Sequence, residues 1–302
     1  MWALRAHRRG GPEELRFERA PIPDIRSDEV LVAVHAAAIT FDELLWDETW
    51  RTLPAVPSHE CSGVVTEVGT DVTRFEPGDE VYGLIRFDRQ GAAAEFVAVP
   101  ERDLAVRPRS IPHIEAAALP LAGLTAWQAL VDHARLQRGE RLLILGGAGG
   151  VGAFAIQLGA EAGAEITVTV RGPAAAAEAA RLGADTVVDV TARALPADTF
   201  DVVLDTVGAA ASAQAYTSTR RGGRLITLQA PPSASLAAER DLTAVFFVVE
   251  PDREQLDELA RLVDERRLIV PIAATFPLAA GREAFESRGT RGPGKTVLVV
   301  RP

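Results

Sequence analysis

Arg141-Leu142-Leu143-Ile144-Leu145-Gly146-Gly147-Ala148-Gly149-Gly150-Val151-Gly152 is the stretch on which the reading of the fold turns. Residues 141–145 form a continuous apolar run, of the kind buried on both faces of a parallel sheet. Gly147, Ala148, Gly149, Gly150, Val151 and Gly152 satisfy G-x-G-x-x-G, and a helical pattern starts at about Val151. In such a turn the first glycine permits the tight bend and the second lets backbone approach a pyrophosphate. The third lets the helix pack on the strand. Amides at the helix N-terminus then face the anion, assisted by the helix dipole. The spacing alone is weak in a chain with 25 glycines, and a turn without ligand has the same signature. The flanking strand and helix make it a candidate dinucleotide loop.

Downstream, strand and helix alternate: helix 151–163, strand 166–170, helix 174–182, strand 186–190, strand 202–205, a helix near 209–219 and strand 224–228. This predicts βαβ units in a doubly wound parallel sheet. Arg171 ends the second strand, about 20 residues past the loop, where an Asp or Glu would hold the ribose 2′-hydroxyl of NAD. No carboxylate stands at that strand end to repel a 2′-phosphate, and a guanidinium binds one through two charge-assisted hydrogen bonds. NADPH is the expected cofactor. A solvated strand-end arginine is the plainer alternative.

Upstream, short strands separated by Gly, Pro and Asp turns suggest a small barrel or sandwich. Strands are expected over 29–36, 62–68, 81–85 and 93–99, with a turn at Phe75-Glu76-Pro77-Gly78-Asp79. Residues 114–134 read as helical, broken at Pro120. Residues 254–267 form an amphipathic helix with Leu256, Leu259, Leu262 and Val263 on one face. The closing run Lys295-Thr296-Val297-Leu298-Val299-Val300 is strand-like and is expected to pair back onto the first domain.

Composition bounds the function. The chain has 302 residues, enough for two domains, and its 47% hydrophobic and 25% charged residues suit a globular protein. A net charge of −10 argues against general affinity for nucleic acid or an anionic membrane. No apolar run reaches the roughly 20 residues of a membrane span, and the start carries no apolar signal core, so a cytoplasmic location is expected. Cys61 is the only cysteine, which excludes an intramolecular disulfide and a cysteine-rich zinc site. Lys295 is the only lysine.

Taken together, the chain resembles the medium-chain dehydrogenase/reductase superfamily, and within it the zinc-free quinone oxidoreductases related to zeta-crystallin. The resemblance spans nearly the whole chain. It rests on Pro57-Ser58-His59-Glu60-Cys61-Ser62-Gly63-Val64-Val65, on Gly78-Asp79-Glu80-Val81, and on Gly123-Leu124-Thr125-Ala126. The glycine loop, Asp205-Thr206-Val207-Gly208 and Gly292-Pro293-Gly294-Lys295-Thr296-Val297 complete it. It implies an α/β fold: a Rossmann doubly wound parallel sheet (residues 119–268) inserted into a GroES-like β-barrel domain (residues 1–118 and 269–302). The family's active site lies between the two, and family members are commonly homodimers.

The zinc-dependent relatives hold a catalytic zinc with a cysteine, the histidine of a G-H-E segment and a third ligand. Here His59-Glu60 matches the middle element, Ser58 replaces its glycine, Thr40 stands at the first position and Leu121 or Ala122 at the third. A hydroxyl and a hydrocarbon are poor substitutes for thiolate and imidazole, so no metal is expected. Without a Lewis acid, quinones and α,β-unsaturated carbonyls suit the site better than simple ketones. They accept hydride at carbon and delocalise charge onto a distant oxygen.

By the resemblance, residues 40–46 lie beside the nicotinamide. Thr40, Asp42 and His59 are candidate proton donors, with Glu43 an alternative. Phe41, Leu45, Trp46 and Trp50 are candidate substrate-pocket residues, the two tryptophans as an aromatic wall. Thr125, Val207, Phe246, Phe247 and Lys295 are candidate cofactor contacts beside the glycine loop and Arg171. Each also has a plain packing or surface role open to it. Some relatives supply a lysine after the second strand and a tyrosine after the third, where this chain has alanines at 174–177 and Val190. Two rival functions stay open: a zinc-type alcohol dehydrogenase, and a non-catalytic nucleotide-binding redox sensor or structural protein.

Overall fold

The computed structural model describes residues 1–190, 195–288 and 292–301. The chain divides into two compact units. One comprises Met1–Leu124, Glu250–Arg266 and Val270–Pro302, the other Thr125–Val249 and Arg267–Ile269.

The first unit begins with a hairpin of β1 (Trp2–Ala6) and β2 (Leu15–Arg19). β3 (Glu29–Ile39) is the long central strand; β4 (Glu60–Val68), β5 (Glu80–Leu84), β6 (Phe96–Pro100) and β7 (Leu104–Val106) follow. β3 pairs antiparallel with both β4 and β6, so Val30, Val32 and Val34 are buried on one side of a barrel-like sheet. The helical stretch expected at 114–134 is three pieces: α1 (His113–Ala117), α2 (Pro120–Trp127) and a wider π-type turn over Gln128–His133. Pro120 begins α2, where its missing amide costs nothing.

The second unit is the alternating segment. β8 (Arg141–Leu145) leads to α3 (Gly150–Ala162), β9 (Glu165–Val170), α4 (Pro173–Arg181) and β10 (Thr186–Asp189). β11 (Phe200–Asp205), α5 (Ser212–Ser218), β12 (Thr219–Thr227), α6 (Ala234–Glu239) and β13 (Thr243–Phe246) complete it. All strand pairs are parallel, in the order β10-β9-β8-β11-β12-β13. The order reverses direction at β8, whose carboxyl end carries the glycine loop. That switch point is where open α/β sheets bind ligands.

The chain then returns to the first unit through α7 (Arg253–Asp264), β14 (Ile272–Pro277), α8 (Gly281–Glu286) and β15 (Lys295–Val299). β15 pairs antiparallel with β3, Thr296 opposite Ile39, as expected for the closing strand. The division differs from the expected boundaries at 118 and 268 because α7 packs on the barrel. The Tyr82 hydroxyl donates to the Leu256 carbonyl at 2.5 Å, and the Asp264 carboxylate accepts the amides of Arg109 (3.2 Å) and Ser110 (2.8 Å). Amphipathicity gave the helix but not the body it covers. Among the described residues no helix is long and apolar enough to cross a membrane.

Candidate active site

In the second unit, the loop after β8 has the geometry of a phosphate cradle. A Cβ added at Gly152 would lie 2.2 Å from the Gly146 carbonyl oxygen, and one at Gly147 would lie 2.7 Å from the Val168 side chain. Helix and strand therefore approach as closely as only glycine allows. At Gly149, by contrast, the nearest atom to an added Cβ is 3.4 Å away, so that side of the loop is open. Gly149 is the N-cap of α3 and offers no side-chain cap, which leaves first-turn amides to an outside acceptor. Ala148, Gly150 and Val151 complete the rim and are partly exposed. The residues present fit a dinucleotide pyrophosphate.

Arg171 is exposed at the end of β9, and Gly172, with φ +81°, turns the chain into α4. A carboxylate does stand close by, contrary to what the strand end alone suggests. Asp189 is paired with Val170 across the β9–β10 ladder, and its Oδ2 accepts the Gly172 amide at 3.1 Å. The pairing of two strands brings in this acid, 18 positions from Arg171 in sequence. Val207 is exposed after β11, where the Asp205 carboxylate accepts the amides of Val207 (3.0 Å) and Gly208 (2.9 Å) and holds the turn. Phe246 ends β13 and is exposed, and the Phe247 ring lies 4.4 Å from that of His133. Thr125 is buried in α2.

In the first unit, three residues at strand starts and one turn residue form a buried polar network. Glu43 lies in a 3-10 turn after β3, and His59 and Glu60 stand at the start of β4. Lys295 opens β15, and all four are buried. Glu43 Oε2 accepts the Ser58 amide (2.8 Å) and faces His59 Nδ1 (3.1 Å), while its Oε1 accepts the Thr40 amide (3.3 Å). His59 Nε2 faces the Arg89 carbonyl at 3.4 Å. Both ring nitrogens thus face oxygen atoms of the protein. Ser58 sits in the left-handed region at φ +76°. Its amide bond to Glu43 and its hydroxyl bond to the Ala38 carbonyl (2.6 Å) hold a conformation that glycine would take more easily.

The Lys295 ammonium donates to the Glu60 carboxylate and, at 3.2 Å, to the Thr40 hydroxyl. The other Glu60 oxygen accepts the Leu121 amide at 3.0 Å. Burial raises the Glu60 carboxyl above its ordinary range, with the adjacent Lys295 charge pulling the other way. Two of the three positions compared with zinc ligands are therefore engaged internally. Thr40 faces Lys295, His59 lies between Glu43 and Arg89, and Leu121 is hydrocarbon.

The remaining candidates separate. Asp42 turns outward, where Arg288 forms an ion pair with its carboxylate, so the inward-facing acid of this turn is Glu43. The two acids are neighbours in sequence, and only the turn geometry selects between them. Trp46 meets Phe87 edge-on (4.9 Å), and Phe87 in turn meets His59 (5.4 Å). Trp50 does not share that cluster. It packs with Phe41 against the barrel core, and its indole N–H donates to the Leu44 carbonyl at 3.1 Å. Leu45 is exposed. Sequence reasoning missed Phe87, whose segment carries no motif, and Glu60, which stood inside the quoted His59-Glu60 pair without an assigned role. Among the described residues no group of three or more His, Cys, Asp or Glu is placed to hold a metal ion.

Comparison with known proteins agrees with this geometry. The family described as "Alcohol dehydrogenase GroES-like domain" matches residues 26–109, and "Zinc-binding dehydrogenase" matches residues 182–298. The chain is 32% identical to the mitochondrial NAD(P)H oxidoreductase RTN4IP1 of Danio rerio, covering 96% of this chain and 89% of that protein. It is 31% identical to the chloroplastic NADPH-dependent alkenal/one oxidoreductase of Arabidopsis thaliana, over 97% of this chain and 78% of that one. Among solved structures, the quinone oxidoreductase from Coxiella burnetii superposes with a TM-score of 0.92 at 28% identity, covering 100% of this chain and 99% of that one.

Proposed function

The chain belongs to the medium-chain dehydrogenase/reductase superfamily and is an oxidoreductase; on that premise we propose that it reduces quinones and α,β-unsaturated carbonyls with NADPH and without a metal. The observation that supports this reading is the internal engagement of Thr40 by Lys295 and of His59 by Glu43 and the Arg89 carbonyl, at two of the three positions compared with zinc ligands.

When bound, NADPH supplies the hydride. Residues 147–152 hold its pyrophosphate through backbone amides, and Arg171 takes the 2′-phosphate, with Asp189 limiting the preference over NADH. Thr125, Val207, Phe246 and Phe247 line the rest of the cofactor's path. Phe41, Leu45 and Trp46 border the acceptor, and Thr40 hydrogen-bonds its carbonyl oxygen. Phe87 backs Trp46 and fixes the plane of that wall. Trp50 packs against the barrel core, apart from that wall. Orientation of a flat acceptor and of the cofactor then provides most of the rate. A cytoplasmic homodimer, associating through the nucleotide-binding unit, completes the proposal.

The test is NADPH and NADH consumption with a panel of quinones and 2-alkenals, for the wild type and Arg171→Asp, with metal analysis of the purified protein. The proposal expects turnover with NADPH, a shift toward NADH in the variant and no stoichiometric zinc. One tightly held zinc per chain would establish the alcohol-dehydrogenase reading instead. Nucleotide binding with no turnover on any acceptor would establish a non-catalytic nucleotide-binding protein.

A further inference from the structure

The only lysine of the chain is buried at the start of β15, with its ammonium between one carboxylate and one hydroxyl. A structural ion pair needs only Glu60. The contact to Thr40, at 3.2 Å, has a further consequence. An ammonium has donors only, so the Thr40 oxygen must accept from Lys295, and the threonine's own proton is directed away from the lysine. Thr40 is partly exposed, whereas Lys295 and Glu60 are not. The order from inside to outside is therefore carboxylate, ammonium, hydroxyl.

We propose that Glu60, Lys295 and Thr40 form a proton relay that delivers a proton to the acceptor's oxygen, with Thr40 touching the substrate and Lys295 acting through it. This rests on the functional reading above. Hydride arriving at the acceptor carbon brings two electrons and reduces it, oxidising the dihydronicotinamide, and leaves the acceptor oxygen anionic. The Thr40 O–H bond breaks as a new O–H bond forms on that oxygen. A Lys295 N–H bond breaks as the Thr40 O–H bond re-forms; once product has left, the neutral amine takes a proton from the partly exposed Thr40 hydroxyl, which takes one from water. Glu60 holds the ammonium in place, and its negative charge favours reprotonation of the amine between turnovers. The Glu43–His59 pair is separate from this path, because its contact to Thr40 is through the backbone amide.

A single lysine makes the relay directly observable. Protein labelled with 15N-lysine gives one side-chain Nζ resonance. It is expected at an ammonium shift and expected to move in both Thr40→Val and Glu60→Gln. In steady-state assays with a 2-alkenal, Lys295→Met is expected to lower kcat by roughly 10²–10⁴-fold, the usual contribution of a positioned general acid. Thr40→Val should lose rate as well, and Thr40→Ser should recover it. Wild-type kcat should show a solvent deuterium isotope effect that Lys295→Met reduces. Lys295→Arg keeps the charge but does not release a proton. It should therefore stay slow while NADPH affinity, read by fluorescence titration, is retained.

Three results overturn the relay: wild-type rate and isotope effect in Lys295→Arg, an Nζ resonance indifferent to Thr40→Val, or loss of NADPH affinity in Lys295→Met with the isotope effect kept. The last would make Lys295 a cofactor ligand. Failure of the wild type to reduce any acceptor would instead remove the functional reading, and the relay with it.

Discussion

Cys61 shows how much one buried side chain conceals. It is fully buried in β4, and burial pushes its thiol up to about 12, with the neighbouring Glu60 charge adding to the rise. A thiol without thiolate is not a nucleophile at neutral pH. The native protein is therefore expected to leave thiol reagents unreacted and to take up one equivalent only in denaturant; rapid labelling of the folded protein would contradict the buried strand. Gly152 carries the opposite lesson. An added Cβ would meet backbone at 2.2 Å and has no flexible neighbour to displace. Gly152→Ala should lower Tm and abolish NADPH binding, measured by calorimetry and fluorescence. Its place in a tight strand–helix turn was legible from the spacing together with the flanking strand and helix, whereas the inward turn of Glu43 rather than Asp42 was not, since adjacent acids look alike until the 3-10 turn orients them.

At the scale of elements, the periodic segments were legible to within a few residues, from β8 through α4 to β12. Partners across elements were not. Asp189 is invisible as a neighbour of Arg171 until β10 pairs with β9. Because its charge stands beside the 2′-phosphate position proposed for NADPH, Asp189→Asn is expected to raise the NADPH-to-NADH ratio of kcat/KM. The amide oxygen can still accept the Gly172 N–H, so the turn should survive. An unchanged ratio would place Asp189 outside cofactor recognition. α7 offers a purely structural check. Asp252 caps it by accepting the Gln255 amide at 3.0 Å. Asp252→Ala should cost about 1 kcal/mol in urea unfolding without altering nucleotide affinity.

For the whole molecule, pH stability should be set partly by a histidine pair within the barrel unit. His113 stacks on His35 (4.4 Å), faces Ser62 (2.7 Å), and has Glu80, Arg107 and, through His35, Arg301 around it. Burial first, then the positive neighbours, lower His113 from 6.5 to about 4, and His35 is lowered too. The unfolded chain thus binds a proton that the folded one refuses between these values. That contribution to stability is complete above about pH 6.5 and is lost as pH falls toward 4. The expected result is a Tm that declines over this window, with a shallower decline in His113→Gln; parallel curves would show that other groups dominate.

The sequence by itself determined the fold class, the glycine loop, the strand-end arginine and the return of the last strand. These depend on local periodicity, on steric demands that only glycine meets, and on motifs read within a short window. The tertiary structure alone decided that α7 covers the barrel, that Asp189 holds the Gly172 amide next to Arg171, and that Lys295 reaches Glu60 and Thr40 across 235 and 255 positions of chain. Such contacts follow from strand register: β15 lies against β3, and β3 against β4, so three strand ends bring their side chains together. No local pattern encodes that meeting, because each side chain is an ordinary polar residue until the sheet closes around it.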